Sequence, residues 1–259
     1  MPTILRPSRA LFRFSGADAQ KLLFDVVTGR LVAEPGPEIW WALLSPQGKI
    51  QAEGLSSYQD GAFWLDVDTT VADAFFKRMR MYRLRAAVEI EDLRATSSVG
   101  WAGGAAHTRV IGSKAESQQW DAPDSSYDAA RIAAGIAEQG PDFAADVMFP
   151  HDIGMDLLHG VDFQKGCYIG QEVVSRMERR GTARRRAVIV SGVDAPAGTP
   201  ITVGGRDAGT VGAAVGGKAV GVVRLDRFDG GETAVGGRPV TVALPDWATY
   251  RLGESVSAD

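Results

Sequence analysis

Apolar and polar positions alternate along "ALFRFSG", residues 10–16, which predicts a strand ending at Gly16. The period then changes. In "ADAQKLLFDVVTGRL", Leu22, Leu23, Val26 and Val27 recur at helical spacing before Gly29, so a helix follows the strand. Two apolar runs in "WWALLSPQGKIQAEGLSSY" flank Ser45-Pro46-Gln47-Gly48, whose turn chemistry predicts a hairpin, and "AFWLDVD" continues the sheet. Thr70 and Asp73 form a capping-box-like pair ahead of a stripe of Val71, Phe75, Met79 and Tyr82 on one face of a second helix. "AAVEIEDL" reads as the next strand, with further strands around Val99 to Trp101 and Arg109 to Ile111 and a helix near Tyr127 to Glu138. This order of elements predicts an α+β sandwich.

The pattern shifts after Arg186. From "RAVIVSGV" onward there is no helical stripe, and short β-rich runs such as "TPITVGG" and "AVGVVRL" are separated by glycines, which predicts a small all-β barrel or sandwich. A boundary near residues 185–190 would divide an α+β region, 1–186, from a β-barrel region, 187–259. The glycine-rich "VGGRDAGTVGAAVGGKAVG" fits hairpin turns better than a phosphate cradle, since no strand-to-helix context surrounds it.

The chain has 259 residues, 45% of them hydrophobic, enough for a sizeable core. A formal net charge of −4 argues against whole-protein attraction to nucleic acid or an anionic membrane, so anion binding would need a local cluster. Apolar runs such as "IWWALL" are far shorter than the roughly 18–20 residues that span a bilayer. Arg6, Arg9 and Arg13 precede the first acid, Asp18, as in an organelle transit peptide, but the strand pattern assigns them to a solvent-facing edge. A single cysteine forbids an intrachain disulfide and leads to the expectation of a cytoplasmic protein.

That cysteine, Cys167, lies in "FQKGCYIGQE" between Gly166 and Gly170. The glycines permit a tight turn, and Lys165 two residues upstream could favour thiolate. A lone cysteine is also commonly a small buried hydrophobe, and that alternative stays open. Without a CxxC partner and with only three histidines, His107, His151 and His159, no metal-ligand spacing appears. Glu172 and Arg176 stand four apart, either as helical neighbours or as one edge of a polar site. Arg176, Arg179, Arg180, Arg184, Arg185 and Arg186 crowd into eleven residues, either as a carboxylate- or phosphate-binding cluster or as a solvated junction. Asp152, after Pro150, is placed either facing a cavity or capping a helix.

These segments carry a resemblance. "KGCYIGQEVVSR" looks like the signature of the YgfZ-type folate-binding proteins, in a superfamily with the T-protein of the glycine cleavage system, and "FPHDIGMDLLHGVDFQKGCY", "LLSPQGKIQAE" and "GTVGAAVGGKAVGVVRL" resemble other parts of the family. The resemblance implies a ring of three subdomains around a folate pocket, with a ferredoxin-like part and a C-terminal all-β barrel. It implies tetrahydrofolate or a one-carbon derivative as cofactor, iron–sulfur client or assembly proteins as partners, and a role in maintaining [4Fe–4S] enzymes. By position it assigns Cys167 as a functional thiol and Asp152, Lys165, Gly166, Tyr168, Gly170, Gln171, Glu172 and Arg176 to the ligand site. The sequence departs from the T-protein at the hairpin, where "GKIQAE" replaces a paired aspartate. Glu53 stands nearest that acid, and is read as a strand-surface glutamate. A folate-dependent aminomethyl- or methyltransferase and a cysteine-nucleophile hydrolase using His151 or His159 remain as alternatives.

Overall fold

The computed structural model describes residues 3–181 and 183–254. The strands are β1 (Ile4–Leu5), β2 (Arg9–Ser15), β3 (Ile39–Leu44), β4 (Ile50–Gln59), β5 (Ala62–Asp68), β6 (Glu89–Asp92), β7 (Ser97–Trp101) and β8 (Val110–Ser113), followed in the C-terminal part by β9 (Arg185–Ser191), β10 (Pro200–Val203), β11 (Arg206–Val211), β12 (Lys218–Arg224), β13 (Thr233–Val235), β14 (Arg238–Pro239) and β15 (Thr241–Ala243). The helices are α1 (Ala19–Val26), α2 (Ala72–Arg83), α3 (Lys114–Ser117), α4 (Ser126–Ala133) and α5 (Gln171–Arg180).

An antiparallel sheet in the order β3-β4-β5-β2-β6 forms the first layer. Because side chains alternate across a strand, Phe12 and Phe14, Trp41 and Leu43, and Leu65 and Val67 share one face, where they pack on Leu22, Leu23 and Val26 of α1 and Phe75 and Met79 of α2. The other face of the same strands carries Trp40, Leu55, Glu53, Asp66 and Asp68, all buried. It meets the rest of the chain rather than solvent. There Trp40, Leu44 and Ile50 join Ile132, Met148, Ile153, Met155, Tyr168 and Val174 with Ala187 and Val222 of the C-terminal sheet, so one seam of core links the layers. The C-terminal strands pair in the order β14-β13-β10-β11-β12-β9-β15 around Val188, Val190, Ile201, Val211 and Val223. A small sheet, β1-β7-β8, sits to one side.

Three expectations change. Val71, and not Thr70 in a box with Asp73, is the N-cap of α2, because Thr70 gives its backbone N–H, at 2.9 Å, and its hydroxyl to Asp68 Oδ1. The helix predicted to run to Glu138 stops at Ala133. Gly135 there turns with φ 69°, and a Cβ on it would sit 2.4 Å from Pro245 Cγ, so the chain leaves the helix and carries Glu138, Gln139 and Asp142 inward. Arg6 and Arg9 are not on a solvent edge: each is 7% exposed, whereas Arg13 is partly exposed and pairs with Glu91.

Candidate functional site

Two polar regions arise from the same hairpin. At its turn, the Ser45 N–H donates to the Lys49 carbonyl and the Gly48 N–H to the Ser45 carbonyl, both at 2.8 Å, and Gly48 takes φ 79°. Gly170, also at φ 79°, is the N-cap of α5, and the two glycines lie back to back: a Cβ on Gly170 would fall 2.6 Å from the Ser45 carbonyl oxygen and 3.2 Å from Gly48 Cα. Only glycine meets both the left-handed backbone and the close approach. Val174, fully buried, anchors α5, while Glu172 and Arg176 pair on its exposed face at 2.5 Å, as their i,i+4 spacing predicts.

The signature segment splits by side. Lys165 turns inward, where its ammonium donates to the carbonyls of Phe24, at 2.8 Å, Val27 and Gly29, at 3.2 Å, around the C-terminus of α1. Burial lowers its pKa to about 8. Tyr168 also turns inward, with its hydroxyl buried and unpartnered and burial raising its pKa. Gly166 passes over the Phe24 ring. Cys167 turns outward and is exposed, so the Lys165 ammonium is committed to carbonyls and does not serve the thiol. An open groove of about 670 Å³ is lined by Cys167, Tyr168, Gly170, Gln171, Glu172 and Arg179 beside Pro46 of the hairpin turn.

Asp152 lies elsewhere. In the short 3-10 helix Pro150–Ile153 its carboxylate accepts the Phe149 N–H at 2.9 Å and pairs with Arg185, with 3% of the side chain exposed. Burial raises its pKa against the opposing pull of Arg185. It is a cap and an ion-pair partner, the second of the two places open to it from sequence. His151 Nε2 lies 3.2 Å from Glu178, and Arg186 holds both oxygens of Asp156 at 2.8 Å and the His151 carbonyl at 2.9 Å. The arginine cluster is therefore divided: Arg176, Arg185 and Arg186 are paired within the chain, while Arg179, Arg180 and Arg184 are exposed. The buried His151 and the exposed His159 belong to the loop before the signature, and neither lines the Cys167 groove.

The second region is the buried centre, which sequence reasoning missed. Arg9 Nε meets Asp66 Oδ2 at 2.6 Å, and its Nη1 meets Glu138 at 3.1 Å and Glu53 at 3.7 Å. Arg6 pairs with Glu138, Arg109 with Asp66, and Arg131 with Asp142 at 2.5 Å and Asp128 at 2.6 Å. Burial works to raise the Asp66 pKa, and Arg9, Arg109 and Arg6 overcome it to bring the carboxyl to about 2. At Asp142 burial prevails over Arg131, and the pKa rises to about 6. Glu53 is 3% exposed and not a surface residue: its oxygens accept Trp40 Nε1–H at 2.7 Å and the Gln139 N–H at 3.0 Å, and burial raises its pKa despite Arg9. His107 packs against Trp40 at a tilt of 43° with ring centres 4.5 Å apart, and burial lowers its pKa to about 4. The space left among Arg9, Trp40, Glu53, His107 and Glu138 is about 20 Å³, room for one water. Beside it a cavity of about 440 Å³ opens, lined by Arg6, Asp68, Asp124, Tyr127, Asp128 and Glu138 among others.

Known proteins with this architecture exist. The structure of glycine cleavage system aminomethyltransferase T from Bartonella henselae superposes with a TM-score of 0.75 over 96% of this chain and 87% of that one, at 13% identity. Residues 184–250 match the family model described as CAF17, C-terminal beta-barrel domain. The chain thus has the aminomethyltransferase-type fold closed by a CAF17-type all-β barrel. In sequence it is 29% identical over 211 residues, 69% of this chain and 54% of the relative, to the mitochondrial iron–sulfur cluster assembly factor IBA57 homolog of Pyricularia oryzae. It is 27% identical over 226 residues to the protein of that name from Mycosarcoma maydis, covering 71% and 56%. The chain spans about half the length of the curated relatives it matches. The cytoplasmic expectation is overturned, since these relatives are named mitochondrial proteins. A lone reduced cysteine excludes an intrachain disulfide and carries no address. Among the described residues no helix is long and apolar enough to cross a membrane.

Proposed function

We propose that this chain is a YgfZ-type factor that supports the assembly or repair of [4Fe–4S] enzymes, with Cys167 presenting a sulfur ligand to iron from an open groove. The observation that carries this reading is the exposed thiol at the hairpin–α5 junction, in a segment whose neighbours Lys165 and Tyr168 are fixed by buried contacts. The names of the relatives, iron–sulfur cluster assembly factors, agree with it. One cysteine supplies one ligand, so a cluster held at Cys167 takes its other ligands from a second chain or a small thiol. Client and assembly proteins would meet the groove where Arg179 stands at the rim.

Tetrahydrofolate is the proposed small-molecule ligand, on the strength of the family resemblance. The 20 Å³ centre is too small for a pterin, whereas the adjoining 440 Å³ cavity falls within the volume that small-ligand sites use; none of the residues that the resemblance assigns to the ligand lines it, and with Arg6 and Asp128 already paired with Glu138 and Arg131, Asp68 and Asp124 are there to accept pterin N–H groups. When bound, the folate would supply a one-carbon carrier. Aminomethyl transfer is the weaker reading, because Glu53 is already engaged by Trp40 and Gln139 and lies in a closed site.

Anaerobic reconstitution of the purified protein with ferric iron, sulfide and a small thiol, which reduces part of the iron and can complete the ligand set, tests the first reading. Iron–sulfur absorption at less than one cluster per chain, lost in Cys167→Ser, is expected; equal loading of the serine variant overturns it. Calorimetric titration with tetrahydrofolate tests the second, and absence of binding removes folate while leaving the iron–sulfur reading intact.

A further inference from the structure

Helix α2 and the turn after it place Lys77, Arg78, Arg80, Arg83 and Arg85 within nine residues. Arg78 donates to Gln51 Oε1 and Arg83 to the Val88 carbonyl at 3.2 Å, both neutral acceptors. Among the described residues, nearby ion pairs form without these five: Arg94 binds Asp73 and Asp92, and Arg13 binds Glu91. Two large apolar side chains stand among them, Met81 at 58% exposure and Leu84 at 83%. Leu84 takes φ 45° and ψ −107°, a backbone conformation that costs a leucine energy and here holds the side chain out into solvent. Beside them the helix surface is concave: Phe76 and Met81, with Lys77, Arg80 and Arg83 around them and Asp73 at one end, line a groove of about 370 Å³. It shares no lining residue with the Cys167 groove.

We propose that this face of α2 docks an acidic segment of a protein partner, which seats an apolar side chain between Phe76 and Met81 and lays carboxylates on Lys77, Arg80, Arg83 and Arg85. Charge complementarity carries the choice of occupant: five cations without an ion-pair partner among the described residues stand together on a chain whose formal net charge is −4, and guanidinium forks match carboxylates. The concavity separates a protein from a lipid surface, because a bilayer leaves a groove empty and a side chain fills it. The surface lies outside the iron–sulfur and folate readings and stands or falls without them.

The test replaces Met81 with a photo-cross-linking residue (Met81→p-benzoylphenylalanine) in the full chain, in the cells that make it. The expected result is a discrete protein adduct whose cross-linked peptide is rich in Asp or Glu around a large apolar residue, and whose yield falls at least about tenfold in the Arg80→Glu/Arg83→Glu background. That peptide, synthesised and titrated against the purified protein, should bind about tenfold more weakly to Leu84→Ser and lose affinity as salt rises. Unchanged melting temperatures keep folding out of the comparison. The proposal is overturned by an adduct indifferent to charge reversal, by yields no higher than from the same residue at Val32, or by Leu84-dependent sedimentation with vesicles of phosphatidylcholine and phosphatidylserine in place of a protein adduct.

Discussion

The buried centre and the groove around Cys167 are served by one hairpin, β3–β4, yet their polar side chains differ in what they are free to do. Strand β4 supplies Glu53 to the centre, where Arg9, Trp40 and Gln139 occupy its oxygens. The turn of the hairpin supplies Pro46 to the groove and packs Gly48 against Gly170, three residues after the exposed thiol, and makes no demand on the sulfur. In the centre every charge is held by another charge at low dielectric, so the groups stabilise and specify the fold. In the groove the backbone is rigid and the sulfur is open. The fold thus closes its middle and leaves a free thiol at the rim.

The largest expected effect comes from the centre. Arg9→Met should destabilise the protein by about 3–5 kcal/mol in denaturant unfolding, because Asp66, Glu53 and Glu138 stay buried without their shared cation. Pairing it with Glu53→Gln, which neutralises the carboxylate that has no other arginine among the described residues, should recover part of that loss, and a double variant less stable than the single would contradict the account.

The groove should respond through its backbone instead. Gly170→Ala meets both a left-handed φ and the Ser45 carbonyl, and should cost about 2–4 kcal/mol. Gly181→Ala has φ 58° with nothing near its Cβ position, and should cost about 1–2 kcal/mol. Equal losses in the two would mean that the hairpin contact does not matter.

Acid should act on the centre first through His107. Its unfolded pKa near 6.5 and folded value of about 4 mean that the unfolded chain binds the proton first. Stability from this group is complete above pH 6.5 and is lost as pH falls toward 4. Asp142, at about 6 folded against about 3.9 unfolded, works the other way over the same range, so His107→Phe should abolish the loss on acidification and leave midpoints level or rising as pH falls toward 4. Asp66, with a folded pKa of about 2 against an unfolded value near 3.9, should add a second loss between about pH 4 and 2. The smallest effect belongs to the exposed thiol: Cys167→Ser should change stability by no more than about 0.5 kcal/mol.

Much of this was legible where the information is local. The strand ending at Gly16, the stripe of α1, the Ser45–Gly48 turn and the glycine-spaced strands after Arg186 follow from neighbouring residues, and each appears in the structure. The turn that exposes Cys167 was readable from Gly166 and Gly170. The centre was not, because Arg9 meets partners 44, 57 and 129 positions away and nothing in "RPSRALFRF" announces them. Alternation assigned Glu53 to the outer face of a strand correctly but assumed that face to be wet, whereas Ile132, Met148 and Val222 help to cover that side of the sheet. A signal was available: Asp66 and Asp68 repeat the same polar alternation on the paired strand β5, and so much charge on one sheet face called for arginines to meet it.

The central claim is that the working group is the sulfur at the rim and not the closed middle. Its most direct test is the activity of [4Fe–4S] enzymes in cells lacking the protein, complemented with wild type or with Cys167→Ser at matched protein levels and melting temperatures. The account predicts full restoration by the wild type and failure by the folded serine variant. Restoration by Cys167→Ser equal to the wild type would contradict it.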